Sequence, residues 1–96
     1  MNAKQRFPSG TLVATRGVAE RMEKDAAFAA FVQKSLQRHL QGDWGCVCQE
    51  DKEENELALQ KGFRLFSAYE EEGQPKIWII TEADRSATTV LFPEEY

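Results

Sequence analysis

The run Ile77-Trp78-Ile79-Ile80-Thr81 constrains the fold of this chain more than any other feature. It has strand length and no polar residue before its end, so neither face suits water; the run predicts a central strand covered on both sides. Two more segments rich in apolar, aromatic or β-branched residues flank it, at 63–69 and 87–92. The connection 70–76 holds Gly73 and Pro75, the material of a hairpin, and the short link 82–86 leads to the last strand. Pro93 stops that strand because proline cannot donate to a ladder. The pattern reads as a three-stranded antiparallel meander, to which Thr11-Leu-Val-Ala-Thr15 adds a short N-terminal strand.

Such a sheet needs a cover. Phe28, Phe31, Val32, Leu36 and Leu40 recur at helical spacing and form one apolar stripe, with Gln33, Lys34, Gln37 and Arg38 opposite. Asp25 can cap this helix at its start and Gly42 can end it in the left-handed conformation. Thr15 is placed to cap a shorter helix over 17–23. Asp51 and Glu54 have the spacing of a capping box for a third, acidic helix ending at Gly62, whose only apolar residues are Leu57, Ala58 and Leu59. The expected class is therefore α+β: a small antiparallel sheet, the C-terminal meander plus the N-terminal strand, packed against an amphipathic helix with one or two short extra helices. A chain of 96 residues has material for one core. Residues 11–96 are expected to form it, with 1–10 as a mobile leader because Pro8, Ser9 and Gly10 break any periodicity.

No segment reaches the ~20 apolar residues of a membrane span, and the first residues do not form an apolar signal core. The two cysteines, Cys46 and Cys48, are too close in sequence to suggest a disulfide framework, which points to the cytoplasm. The net charge of −4 divides unevenly, with a basic first fifth and an acidic middle at 50–56 and 70–72. Basic residues do not gather around aromatics, so nucleic acid is an unlikely partner.

Few residues offer chemistry. His39, the only histidine, falls on the apolar stripe and is expected to be a hydrogen-bonded core residue, without the orienting partner and nucleophile a general base needs. Cys46 and Cys48 supply at most half a zinc site, and no metal or cofactor is expected. Asp43 and Trp44, between Gly42 and Gly45, could form a recognition anchor, although tryptophan also plugs small cores. The link containing Glu82, Asp84, Arg85 and Ser86 is the densest polar connection. It could bind a ligand at the end of a rigid strand, or could simply form a turn through its own side chains.

Gly42-Asp-Trp-Gly45, Glu50-Asp51, Glu54-Asn55, Gly62 and above all Ile77 to Tyr96 resemble small bacterial proteins labelled plasmid-related, some carrying the label of a type I restriction subunit. The resemblance covers most of the chain from Thr11 and implies a mobile-element setting with a protein partner. The first expected role is thus a non-catalytic accessory or interaction protein. Two alternatives stand beside it: an acidic anti-restriction or anti-CRISPR type inhibitor, and a small hydrolase or ligand-binding module using residues 82–86. A homodimer through an uncovered strand edge is also open.

Overall fold

The computed structural model describes residues 5–96. In chain order its elements are β1 (Thr11–Ala14), α1 (Arg16–Lys24), α2 (Ala26–Leu40), α3 (Gln49–Lys61), β2 (Leu65–Tyr69), β3 (Ile77–Thr81) and β4 (Ala87–Leu91), closed by a single 3-10 turn at Pro93–Glu95. The strands form one sheet in the order β1-β4-β3-β2, and the meander β2-β3-β4 is antiparallel as the hairpin signals predict. The N-terminal strand departs from the expected antiparallel sheet. β1 runs parallel to β4, with Thr11 opposite Ala87 and Ala14 opposite Val90, so the sheet is mixed. A parallel neighbour needs a long crossover, and here everything from α1 to β3 intervenes.

Pairing register sorts the side chains by face. Leu65, Ser67 and Tyr69 share one face with Ile77, Ile79, Thr81, Thr88 and Val90. Onto that face α1 and α2 press Val18, Phe28, Phe31 and Val32, all 2% exposed or less. Burying each of these side chains contributes roughly 1.5–3 kcal/mol, which is why the helical stripe is the main fastening of the sheet. Asp25 caps α2 as its position predicts, its Oδ1 accepting from Phe28 N at 3.1 Å. The outer face carries Phe66, Ala68, Trp78, Ile80 and Leu91, of which Ala68, Ile80 and Leu91 are buried and Phe66 and Trp78 half-buried.

Local signals misplaced the start of α3, and gave the N-cap residue of α1 but not its bond. Asp51 and Glu54 do not form a capping box: α3 begins at Gln49 with Cys48 in the extended capping conformation. Asp51 falls instead in the first turn, where the positive end of the helix dipole favours its charge. Thr15 does not cap α1 through its hydroxyl either.

The expected mobile leader is corrected over the part described, residues 5–10; residues 1–4 lie outside the described residues. Phe7 is only 6% exposed, stacked at 6.3 Å on Trp44 and edge-on at 5.3 Å to His39. Arg6 pairs with Glu56 at 2.9 Å, and Ser9 offers its carbonyl to Thr88. This segment completes a second cluster with Trp44, Val47, Ala58, Leu65 and Ala68, which wraps the β2 edge. Among the described residues no helix is long and apolar enough to cross a membrane.

Candidate functional site

The residues singled out by sequence hold the fold together. Trp44 is 4% exposed and donates its indole N–H to Glu56 at 2.9 Å. Asp43 accepts both Nε and Nη2 of Arg38, at 2.8 and 3.1 Å, and also the Gly45 N–H; the Arg38 bonds hold its carboxyl below the usual range. Gly45 is needed because a Cβ there, at φ +75°, would overlap the Ala68 carbonyl oxygen. Both residues of the proposed anchor therefore brace a turn against β2.

The side chains of the 82–86 link bond mainly to backbone groups. Asp84 Oδ1 accepts the Ser86 N–H at 2.9 Å, an Asx turn, and Glu82 and Ser86 are exposed. Arg85 adopts φ +62°, the left-handed region. From there its guanidinium donates to the carbonyls of Phe63 at 2.6 Å, Ala58 at 3.1 Å, Glu82 at 3.1 Å and Ala83 at 3.3 Å. One of these carbonyls, Ala58, belongs to the last turn of α3, and Phe63 lies just past its C-cap, so Arg85 places a cation where the helix dipole is negative. Both Nη1 N–H groups and one of Nη2 are thereby engaged by backbone carbonyls.

His39 is fully buried in a chain of side-chain hydrogen bonds. Its Nδ1 lies 2.5 Å from Ser67 Oγ and its Nε2 2.8 Å from Thr81 Oγ1; Thr81 in turn lies 2.7 Å from Thr88 Oγ1. Thr88 donates to the Ser9 carbonyl at 2.7 Å, and a carbonyl can only accept. That end fixes the direction of the rest: Thr81 donates to Thr88, His39 donates to Thr81 from Nε2, and Nδ1 accepts from Ser67. Burial, then the nearby charge of Arg85, push the imidazole from 6.5 down to about 3. The ring is a neutral core connector with no path to a substrate.

Cys46 and Cys48 are free and exposed. Burial, then a hydrogen bond to Glu70, push the Cys46 thiol up, away from thiolate reactivity. Among the described residues no three His, Cys, Asp or Glu side chains come together as a metal site.

An aromatic arrangement on the outer sheet face is turned to water. On the outer sheet face Arg64, Phe66, Trp78, Ile80 and Tyr96 line a shallow cleft of ≈ 180 Å³. Trp78 meets Phe66 edge-on at 5.1 Å and Tyr96 at 5.7 Å, while Arg64 Nη2 donates to the Tyr96 hydroxyl at 2.8 Å. Tyr96 is 68% exposed, and Phe63 beside Arg64 is 53% exposed. Among the described residues no carboxylate lies within ion-pair distance of Arg64. Sequence reasoning missed this patch because it assigned all of 77–80 to a doubly covered core. The available signal was alternation: Ile77 and Ile79 share one face, Trp78 and Ile80 the other.

Comparison with protein-family models, curated proteins and solved structures finds no match to this chain.

Proposed function

We propose that this chain is a non-catalytic, cytoplasmic accessory protein that acts by binding a protein partner at the Trp78–Tyr96 patch. The observation that carries this reading is the combination of Trp78, Tyr96 and Arg64 around one open cleft. Tryptophan, tyrosine and arginine dominate the binding energy of protein interfaces because they offer large rigid area and a planar charge. The unneutralised Arg64 defines the partner's chemistry: an apolar side chain to enter the cleft, with an acidic group beside it. A bacterial mobile-element setting rests on the resemblance of 77–96 described above.

Against the two alternatives stand the present commitments of their residues. Arg85 and Asp84 bond mainly to backbone groups, which weakens the hydrolase or ligand-module reading. The acidic stretch of an inhibitor is partly neutralised, because Glu56, Glu70 and Glu71 pair with Arg6, Lys76 and Lys34.

The test is quantitative affinity capture from bacterial lysate with wild-type, Arg64→Glu and Arg16→Glu baits of matched melting temperature. One partner should be retained by wild type and Arg16→Glu and lost with Arg64→Glu. Equal retention on all three baits would reject the patch as the docking surface.

A further inference from the structure

The two edges of the sheet are treated differently. The β2 edge is closed: Asn55 bonds both backbone groups of Phe66, and Gly45 forms a parallel bridge to Ala68. The β1 edge is open. All four of its residues are exposed, with Leu12 at 55% and Val13 at 42%. Natural edge strands discourage pairing with charges, prolines or bulges, and β1 has none of these. The stretch 7–15 carries no charge at all.

Thr11 and Thr15 donate their backbone N–H groups inward, to Ser86 and Val90 of the neighbouring chain segment. With the two-residue period of a strand, Leu12 and Ala14 direct theirs outward. Beside them the helical face leaves an apolar groove of ≈ 180 Å³, walled by Leu12, Val13 and Ala14 of the strand together with Met22, Val32 and Leu36. Leu12 thus forms the half-exposed rim of an apolar groove that reaches Ala14 on the same strand.

We infer that β1 pairs antiparallel with β1 of a second copy, Leu12 of each chain bonding across to Ala14 of the other. That register uses all four outward pairs of Leu12 and Ala14. It also seats each Leu12 over the small Ala14 of its partner, at the groove. The two-fold axis passes through Val13, which meets its counterpart on the outer face. The result is a continuous eight-stranded sheet.

Area limits the strength. β1 is about 13 Å long, so the contact falls short of the ~800 Å² per partner of a stable interface, and the dimer is weak and concentration-dependent. An axis perpendicular to the sheet keeps like faces on one side, so the dimer would present both Trp78–Tyr96 patches in the same direction. The pairing itself does not depend on what those patches bind.

Sedimentation of the full chain over a concentration series should show mass rising from 10.9 kDa towards twice that value. Leu12→Glu should remain at the monomer mass throughout with an unchanged melting temperature at low concentration. Register is read separately, in a Cys46→Ser, Cys48→Ser background. Val13→Cys should form an interchain disulfide, because a non-hydrogen-bonded pair sets the Cα atoms about 4.5 Å apart. Thr11→Cys should not, since the two copies of that residue lie about 13 Å apart in this register. A wild-type chain that stays monomeric, a Leu12→Glu variant that still dimerises, or crosslinking of both cysteine variants or of neither, overturns the inference.

Discussion

The His39 ring joins α2 to β3 through a 2.8 Å bond from Nε2 to Thr81 Oγ1, with no exposed surface on either residue. The bond chain that ends on the Ser9 carbonyl fixes Nε2 as the donor. Burial keeps the ring neutral, because an imidazolium there would be deprived of water and would lie near the charge of Arg85.

This makes stability depend on pH in a defined window. The folded pKa is about 3, below the unfolded 6.5, so the unfolded chain binds the extra proton between those values. His39 therefore leaves stability intact above pH 6.5 and removes it as pH falls towards 3. One proton corresponds to roughly 1.4 kcal/mol per pH unit, so acidifying from 6.5 to 5 should cost up to about 2 kcal/mol. Among the described residues the other side chains with a lowered pKa are carboxyls that start from 4.5 or less. Urea unfolding at pH 7, 6 and 5 should show this loss in wild type and a flat profile in His39→Gln, which is less stable at pH 7. An equally sloped variant would remove His39 from the account.

Glu95 supplies the cap that Thr15 does not. Its Oε2 accepts the Gly17 N–H at 3.0 Å across seventy-eight residues, and Oε1 bonds Thr15 Oγ1 and the Phe92 N–H. Gly17 allows the approach, since a Cβ there would stand 2.6 Å from that oxygen. These bonds, that to Thr15 first, hold the carboxyl below its usual range. Glu95→Gln should lower the melting temperature by several degrees at pH 7, since a lost cap costs ~0.5–2 kcal/mol. A carboxyl with a depressed folded pKa stabilises above its unfolded value and loses that effect as pH falls through the folded one. The gap between wild type and variant should accordingly shrink below pH 4. Calorimetry at both pH values checks it.

How much of this was legible in the sequence follows from the range of each signal. The stripe from Phe28 to Leu40 and the unbroken apolar run 77–80 are local, and α2 and the meander stand where they predict. The parallel direction of β1 has no local signature in four residues, because it depends on where the intervening elements return the chain. Phe7 next to Pro8 reads as a leader until Trp44 and His39 are brought together to receive its ring. Glu95, Arg85 and Asn55 each satisfy backbone groups of a distant element, and no spacing rule connects them. The one histidine was readable as core from the helical wheel; its partners Ser67 and Thr81 were not.

Arg85 offers a test of whether the 82–86 link is a site or a brace. Alanine there removes the donors to Ala58 and Phe63 and retains the strained φ of +62°, whereas glycine removes the donors and relaxes the backbone. Arg85→Ala should therefore be the less stable of the two by ~1 kcal/mol, with both below wild type. Loss of the nearby cation should also raise the His39 pKa in both variants. Denaturant midpoints order the three proteins; a variant as stable as wild type would return Arg85 to the pool of free functional groups.

Asn55 takes the place of a fifth strand. Its Nδ2 donates to the Phe66 carbonyl at 2.6 Å and its Oδ1 accepts the Phe66 N–H at 3.1 Å, so one amide closes the outward backbone pair of β2. At 4% exposure, water cannot replace it. Asn55→Ala strands a donor and an acceptor, each costing about 1–3 kcal/mol. Asn55→Asp keeps the acceptor but sets a carboxylate oxygen against the Phe66 carbonyl, so it should be at least as destabilising at pH 7 and recover part of the loss on protonation at low pH. Amide exchange at Phe66 isolates the local effect: protection there should fall in both variants, while Ile79, in the sheet's centre, changes only with global stability. Unchanged protection at Phe66 in Asn55→Ala would mean the edge is closed by the Gly45 bridge alone.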